Sequence, residues 1–177
     1  MAKLMVLTGP SGMGIGEIAA ALIARRPQLR AVTPVTARKR KEGEKDGEGF
    51  YFYDLEGWNA LKESGDLLEC TEFAGNDYGS SRRLVSRELE SGHDVLLNLP
   101  AERAEQVKRN MPEALCVFLE PSPAELEKRC RAVSRSALEC SVRLQEAERA
   151  RERSGFCDLR VVLDDPDAAV ETLLALF

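Results

Sequence analysis

The stretch "LTGPSGMGIGEIAA", Leu7 to Ala20, constrains this chain more than any other. An apolar, partly β-branched run, Lys3 to Thr8, leads into it and reads as a buried strand. A helical pattern follows from Glu17 to Arg26, with Ile18, Ala21 and Leu22 on one face and Pro27 beyond the end. A strand that passes through a glycine turn into a helix is the frame of a phosphate-binding loop, G-x-x-x-x-G-K-[ST]. Its glycines let backbone N–H groups face an anion at the positive end of the helix. Gly9 and Gly14 keep the spacing, but Ile15 stands in the lysine position and Gly16 in the hydroxyl position. The loop made of Gly9, Pro10, Ser11, Gly12, Met13, Gly14, Ile15 and Gly16 thus keeps its turn chemistry and lacks its cation.

The rest of the chain alternates in type. Strand patterns at 94–99, 114–119 and 159–163 are separated by helical ones at 81–91, 101–110, 123–132, 136–154 and 167–177. That alternation predicts an α/β fold, a three-layer parallel sheet with helices on both faces, whose ligands bind at the carboxyl ends of the strands. Residues 31–54 differ. They run from a basic stretch through glycines to the aromatic alternation Phe50, Tyr51, Phe52 and Tyr53, and read as short β structure and loops. A short helix is expected at 55–64 and a strand at 66–73, with "AGNDYGSS" (74–81) as a turn.

A chain of 177 residues, 44% hydrophobic and 31% charged, suits one folded domain with a small insertion. The net charge of −5 excludes bulk binding to nucleic acid or to an anionic membrane. No apolar run approaches the roughly 20 residues of a membrane span. The opening residues flow into the glycine loop instead of a signal sequence, so a cytoplasmic protein is expected. Five scattered cysteines without a C-x-x-C and a single histidine, His93 in the polar turn "ESGHD", predict reduced thiols and no metal site.

Six segments together resemble guanylate kinases from end to end: "GPSGMG" (9–14), "TARKRKEGEKDGEGFYF" (36–52), "EFAGNDYGSS" (72–81), "SGHDVLL" (91–97), "RCRAVSR…VRL" (129–144) and "VVLDDPDAAVETL" (161–173). The resemblance implies a phosphate-loop fold with a core (1–32, 84–121 and 155–177), an inserted GMP-binding subdomain at about 33–83 and a helical lid at about 122–154. It also implies transfer of the γ-phosphoryl group of ATP to GMP, with Mg²⁺ accompanying ATP in an active enzyme and no cofactor otherwise. Arg38 matches a phosphate-binding arginine, and Lys41 falls where a second arginine usually lies. Tyr78 matches a phosphate-contacting hydroxyl, and Phe50 replaces a tyrosine. Glu69 matches the guanine-reading glutamate, Ser80 the hydroxyl that reads the base's oxygen, and Glu44 another residue of that site. Guanine shows two donors side by side, N1–H and the 2-amino group, and one carboxylate accepts both. Glu69 lies in the apolar "LLEC", where a carboxylate is costly without a partner.

In the same resemblance Arg38, Arg131 and Arg143 serve catalysis, with Arg129 aligned and Arg135 near. Asn98 and Pro100 stand where two aspartates are usual, and an amide cannot replace a carboxylate's charge beside Mg²⁺. The expected protein binds GMP and transfers phosphate poorly or not at all. Two alternatives stand beside it. In an active guanylate kinase, a lid arginine or Lys3 supplies the missing charge; in a non-catalytic interaction module, a protein partner occupies the cleft. Kinase activity on another small phosphate acceptor is a weaker fourth reading.

Overall fold

The computed structural model describes residues 2–177, so Met1, with which the expected core segment begins, lies outside the described residues. Five parallel strands form the main sheet, in the order β2-β7-β1-β8-β9. They are β1 (Leu4–Thr8), β2 (Leu29–Ala31), β7 (Asp94–Asn98), β8 (Leu115–Glu120) and β9 (Leu159–Val162). The central strand β1 is buried along its whole length, which is why it reads as a continuous apolar run. Its side chains alternate between two cores. Met5 and Leu7 join Ile18, Leu22, Val170 and Leu173 on one face, below helices α1 (Ile15–Arg25) and α7 (Pro166–Leu174). Leu4 and Val6 join Val85, Ala104 and Val107 on the other, below α3 (Arg82–Glu90) and α4 (Ala101–Asn110). The result is the expected α/β sheet covered on both faces.

A second, four-stranded sheet has the order β4-β3-β6-β5, from β3 (Val35–Thr36), β4 (Tyr51–Phe52), β5 (Leu67–Phe73) and β6 (Asn76–Ser81). Its own core of Val35, Trp58 and Leu61 lies beneath α2 (Leu55–Glu63). Two elements depart from the sequence expectation. Residues 76–81 form a strand where a turn was expected, and only Ala74 and Gly75 turn the chain, at φ +50° and +73°. Two successive positive φ values match the twist of a tight hairpin. Pairing of β6 with both β5 and β3 overrides the turn-forming composition of "NDYGSS". Gly79 is required there, because a Cβ would stand 2.7 Å from the carbonyl oxygen of Glu69. The short strand β2 was also not expected; it is held by β7 through Leu29–Asp94 and Ala31–Leu96.

Helices α5 (Pro123–Val133) and α6 (Ala137–Arg153) form a separate pair, each capped by a serine: Ser122 accepts from the Glu125 amide and Ser136 from the Glu139 amide. Among the described residues, no helix is long and apolar enough to cross a membrane.

Candidate active site

The glycine loop leaves the carboxyl end of β1 and enters α1 through Gly14. Gly12 and Gly14 sit at φ +75° and +82°, the left-handed region where a side chain is strained. Gly14, the residue preceding α1, has no side chain to cap the helix, and Pro100, preceding α4, makes no side-chain cap hydrogen bond. Both residues line one cavity of about 380 Å³, together with Ser11, Gly16, Asn98 and other loop residues. Two uncapped helix ends therefore converge on one space, where their free N–H groups favour an anion. Opposing this, each helix carries a glutamate in its first turn, Glu17 and Glu102.

The side chain at the lysine position does not enter this space as a cation. Ile15 packs against the core below β1, its Cδ1 2.7 Å from where a Cβ on Gly9 would lie. Gly16 faces the amide of Asn98, 3.8 Å from the site of its own missing Cβ. Among the described residues lining the loop cavity there is no lysine or arginine. Its side-chain oxygens come from Ser11, Glu17 and Asn98 alone. Glu17 is the single carboxylate of this set, beside one hydroxyl and one amide, so these residues would offer a Mg²⁺ ion held by phosphates one charged ligand.

The arginines aligned with the lid divide by what they touch. Arg129 donates to the carbonyls of Met13 and Leu163, both at 2.8 Å, and to Glu125, so it ties α5 to the loop and to the end of β9. Arg143 pairs with Glu139 at 3.0 Å, and its Nη1 comes within 3.3 Å of where a Cβ on Gly12 would be. Arg131 forms an exposed pair with Glu127 one turn away, its side chain 73% exposed, and is not among the residues lining the loop cavity. Arg135 is exposed. Lys3 is at the wrong end of β1: its Nζ donates to the Leu176 carbonyl, a strand length of about 16 Å from the loop end. Lys3 is therefore out of reach of the loop and does not supply the missing charge.

A larger cavity, about 550 Å³, opens between the second sheet and the carboxyl end of β7. Phe50, Tyr78 and Ser80 line it, as do Asn98 and Pro100, which it shares with the loop cavity. The rings of Phe50 and Tyr78 stand 5.7 Å apart, and the Arg38 guanidinium lies 5.7 Å over Phe50 and 5.3 Å over Phe52. Arg38 is engaged by Glu44 through two bonds of 3.0 and 2.7 Å. These bonds, with one from the Lys41 amide, hold the Glu44 carboxyl down at about 2. Lys41 is exposed, and Arg38, Lys41 and Glu44 are all absent from the cavity's lining.

Glu69 sits opposite Ser80 in the β5–β6 register, beside an irregularity between Leu67 and Glu69. Its side chain is wholly buried, accepting a bond of 2.7 Å from the Ser80 hydroxyl. It also accepts a two-pronged ion pair from Arg103, through Nε and, at 2.7 Å, Nη2. Arg103 was not among the residues singled out from sequence, although a signal was present. Arg103, Gln106 and Asn110 recur at helical spacing beside the buried Ala104 and Val107 of α4. All three bond to β5: Arg103 to Glu69, Gln106 to both the amide and the carbonyl of Cys70, and Asn110 to the Leu68 carbonyl.

A parallel sheet with a glycine loop at the carboxyl end of its central strand, and two cavities meeting at the end of the neighbouring strand, defines a phosphate-loop kinase fold. The comparisons narrow this. The family model for guanylate kinase matches residues 1–177. The guanylate kinase of Parasynechococcus marenigrum is 40% identical over 99% of this chain and 98% of its own length. That of Synechococcus sp. strain CC9311 is 41% identical over 98% and 92%. A crystal structure of guanylate kinase from Anaplasma phagocytophilum superposes with a TM-score of 0.69, at 23% identity, over 99% of this chain and 84% of that one. The chain belongs to the guanylate kinase family.

Proposed function

We propose that this chain binds GMP in the larger cavity and transfers the γ-phosphoryl group of ATP to it slowly or not at all. In this reading the second sheet is the GMP-binding subdomain, α5 and α6 form the lid, and the loop cavity receives the donor's phosphates. One observation carries the reading: Ile15 is apolar and packs partly against the core, and Gly16 has no side chain, so the start of α1 offers backbone amides with no cation at position 15 and no hydroxyl at position 16. Phosphoryl transfer depends on positioning and positive charge around the moving group. Loss of one preorganised donor typically costs about 10²–10³ in rate, and combined losses do not add simply. At the acceptor side, Ser80 and Tyr78 face the cavity with Glu69 directly behind Ser80.

A second reading, an active guanylate kinase, is favoured by a separate observation: Arg143 brings Nη1 beside Gly12, so a second lid cation besides the tethered Arg129 stands at the loop. The relatives named guanylate kinase support it as well. Calorimetry with GMP and ATP separately, and a coupled assay with GMP, ATP and Mg²⁺, decide between them. The first reading expects GMP to bind, ATP to bind weakly and turnover to fall below about 1 s⁻¹. Turnover in the ordinary kinase range of about 1–100 s⁻¹ establishes the second.

A further inference from the structure

We propose that Arg103 is a built-in competitor for the base: its guanidinium holds the carboxylate that guanine would need, and so sets the affinity and selectivity of the acceptor cavity. The inference rests on the GMP reading above and deepens it. Three observations carry it.

First, the geometry of the pair mimics that of the ligand. A guanidinium edge presents two parallel N–H donors to a carboxylate. Guanine's N1–H and 2-amino group present the same two donors with the same spacing. Arg103 already uses both oxygens of Glu69, Nη2 on Oε1 and Nε on Oε2, and Ser80 adds a third donor on Oε1. Second, access is blocked. The Glu69 side chain has no exposed surface, whereas Arg103 is 20% exposed and lines the cavity together with Ser80. A ligand entering the cavity meets the guanidinium before the carboxylate. Third, the arginine has somewhere to go. Glu72 lines the same cavity and is exposed, so a displaced guanidinium finds another carboxylate there; Glu102, also on the lining, is already paired with Arg153.

Guanine and Arg103 therefore exclude each other at Glu69. The apparent affinity for GMP equals the intrinsic affinity multiplied by the fraction of molecules in which Arg103 has swung away. Bases that make no use of Glu69 do not carry this penalty, so the arginine also narrows the preference for guanine over other purines.

The test is calorimetry on the full chain with GMP, IMP (which lacks the 2-amino group) and AMP. It compares the wild type with Arg103→Ala, Arg103→Lys and the double variant Arg103→Ala/Glu69→Gln. Arg103→Ala is expected to tighten GMP by about tenfold or more, IMP by less, and AMP not at all. The double variant loses the gain. Arg103→Lys keeps a charge against the buried carboxylate but gives up one prong, and is expected to show a smaller gain in the same order; it carries the test should the alanine variant unfold. If the wild type binds GMP and neither single variant changes its affinity, Arg103 is no competitor, and the GMP reading survives without it. If GMP binds to none of the four proteins, both fall together.

Discussion

Glu69 is the most demanding side chain to place in this molecule. A carboxylate without solvent contact is tolerated only when its oxygens are filled, and here Arg103 and Ser80 fill them. Truncating one partner of such a pair leaves the other uncompensated. Arg103→Ala strands the buried Glu69 carboxylate and should lower stability by about 3–5 kcal/mol, read from the urea midpoint at constant slope. Glu44 behaves differently because it is at the surface. Bonds from Arg38, then from the Lys41 amide, depress its carboxyl from 4.5 to about 2. The folded value lies below the ordinary one, so its contribution is fully present above pH 4.5 and is lost as pH falls through about 2. An NMR titration of the Glu44 carboxyl resonance should therefore show its midpoint near 2, with the Arg38 contact intact at pH 4. Burial pushes the thiols of Cys116 and Cys157 up to about 11 and about 12. The thiolate is the reactive form, so both should resist a thiol reagent at pH 8 until the protein unfolds, in a timed labelling experiment.

At the scale of elements, the molecule is joined by two polar clasps. The strand β5 is at the edge of its sheet, where unpaired backbone groups invite unwanted pairing. Helix α4 covers it: Gln106 meets the amide and carbonyl of Cys70 at 3.1 and 3.2 Å, and Asn110 reaches the Leu68 carbonyl at 2.8 Å. Arg129 performs the same service for α5, bridging it to Met13 and Leu163. Its guanidinium makes no bond outward into the loop cavity, which it does not line. Arg129 is thus a tether in this structure. Arg129→Met should cost about 2 kcal/mol and raise the hydrogen exchange of residues 10–16, because the carbonyl of Met13 loses its partner.

For the whole molecule, the decisive contrast is between the larger cavity, lined by Tyr78, Ser80 and Arg103, and a loop cavity with no lysine or arginine among its described lining residues. Restoring Ile15→Lys with Gly16→Ser should strengthen ATP binding by about tenfold in calorimetry, since a charge-assisted bond and a hydroxyl return to the phosphates. Unchanged affinity would mean that the loop cannot aim a lysine at position 15 toward the phosphates. The sequence by itself determined the layered α/β architecture, because strand runs such as Leu4–Thr8 and amphipathic helices such as 101–110 state their burial locally. It also determined the loss of the loop's cation, which is a matter of residue identity at 15 and 16. It marked Glu69 as a buried carboxylate in need of a partner, but not which partner. The strand at 76–81 and the Arg103–Glu69 pair, 34 residues apart, were decided by tertiary structure alone. Turn-forming residues take a strand conformation when neighbours on both sides complete their hydrogen bonds. A guanidinium becomes part of a site only when two separate elements are packed within reach of each other.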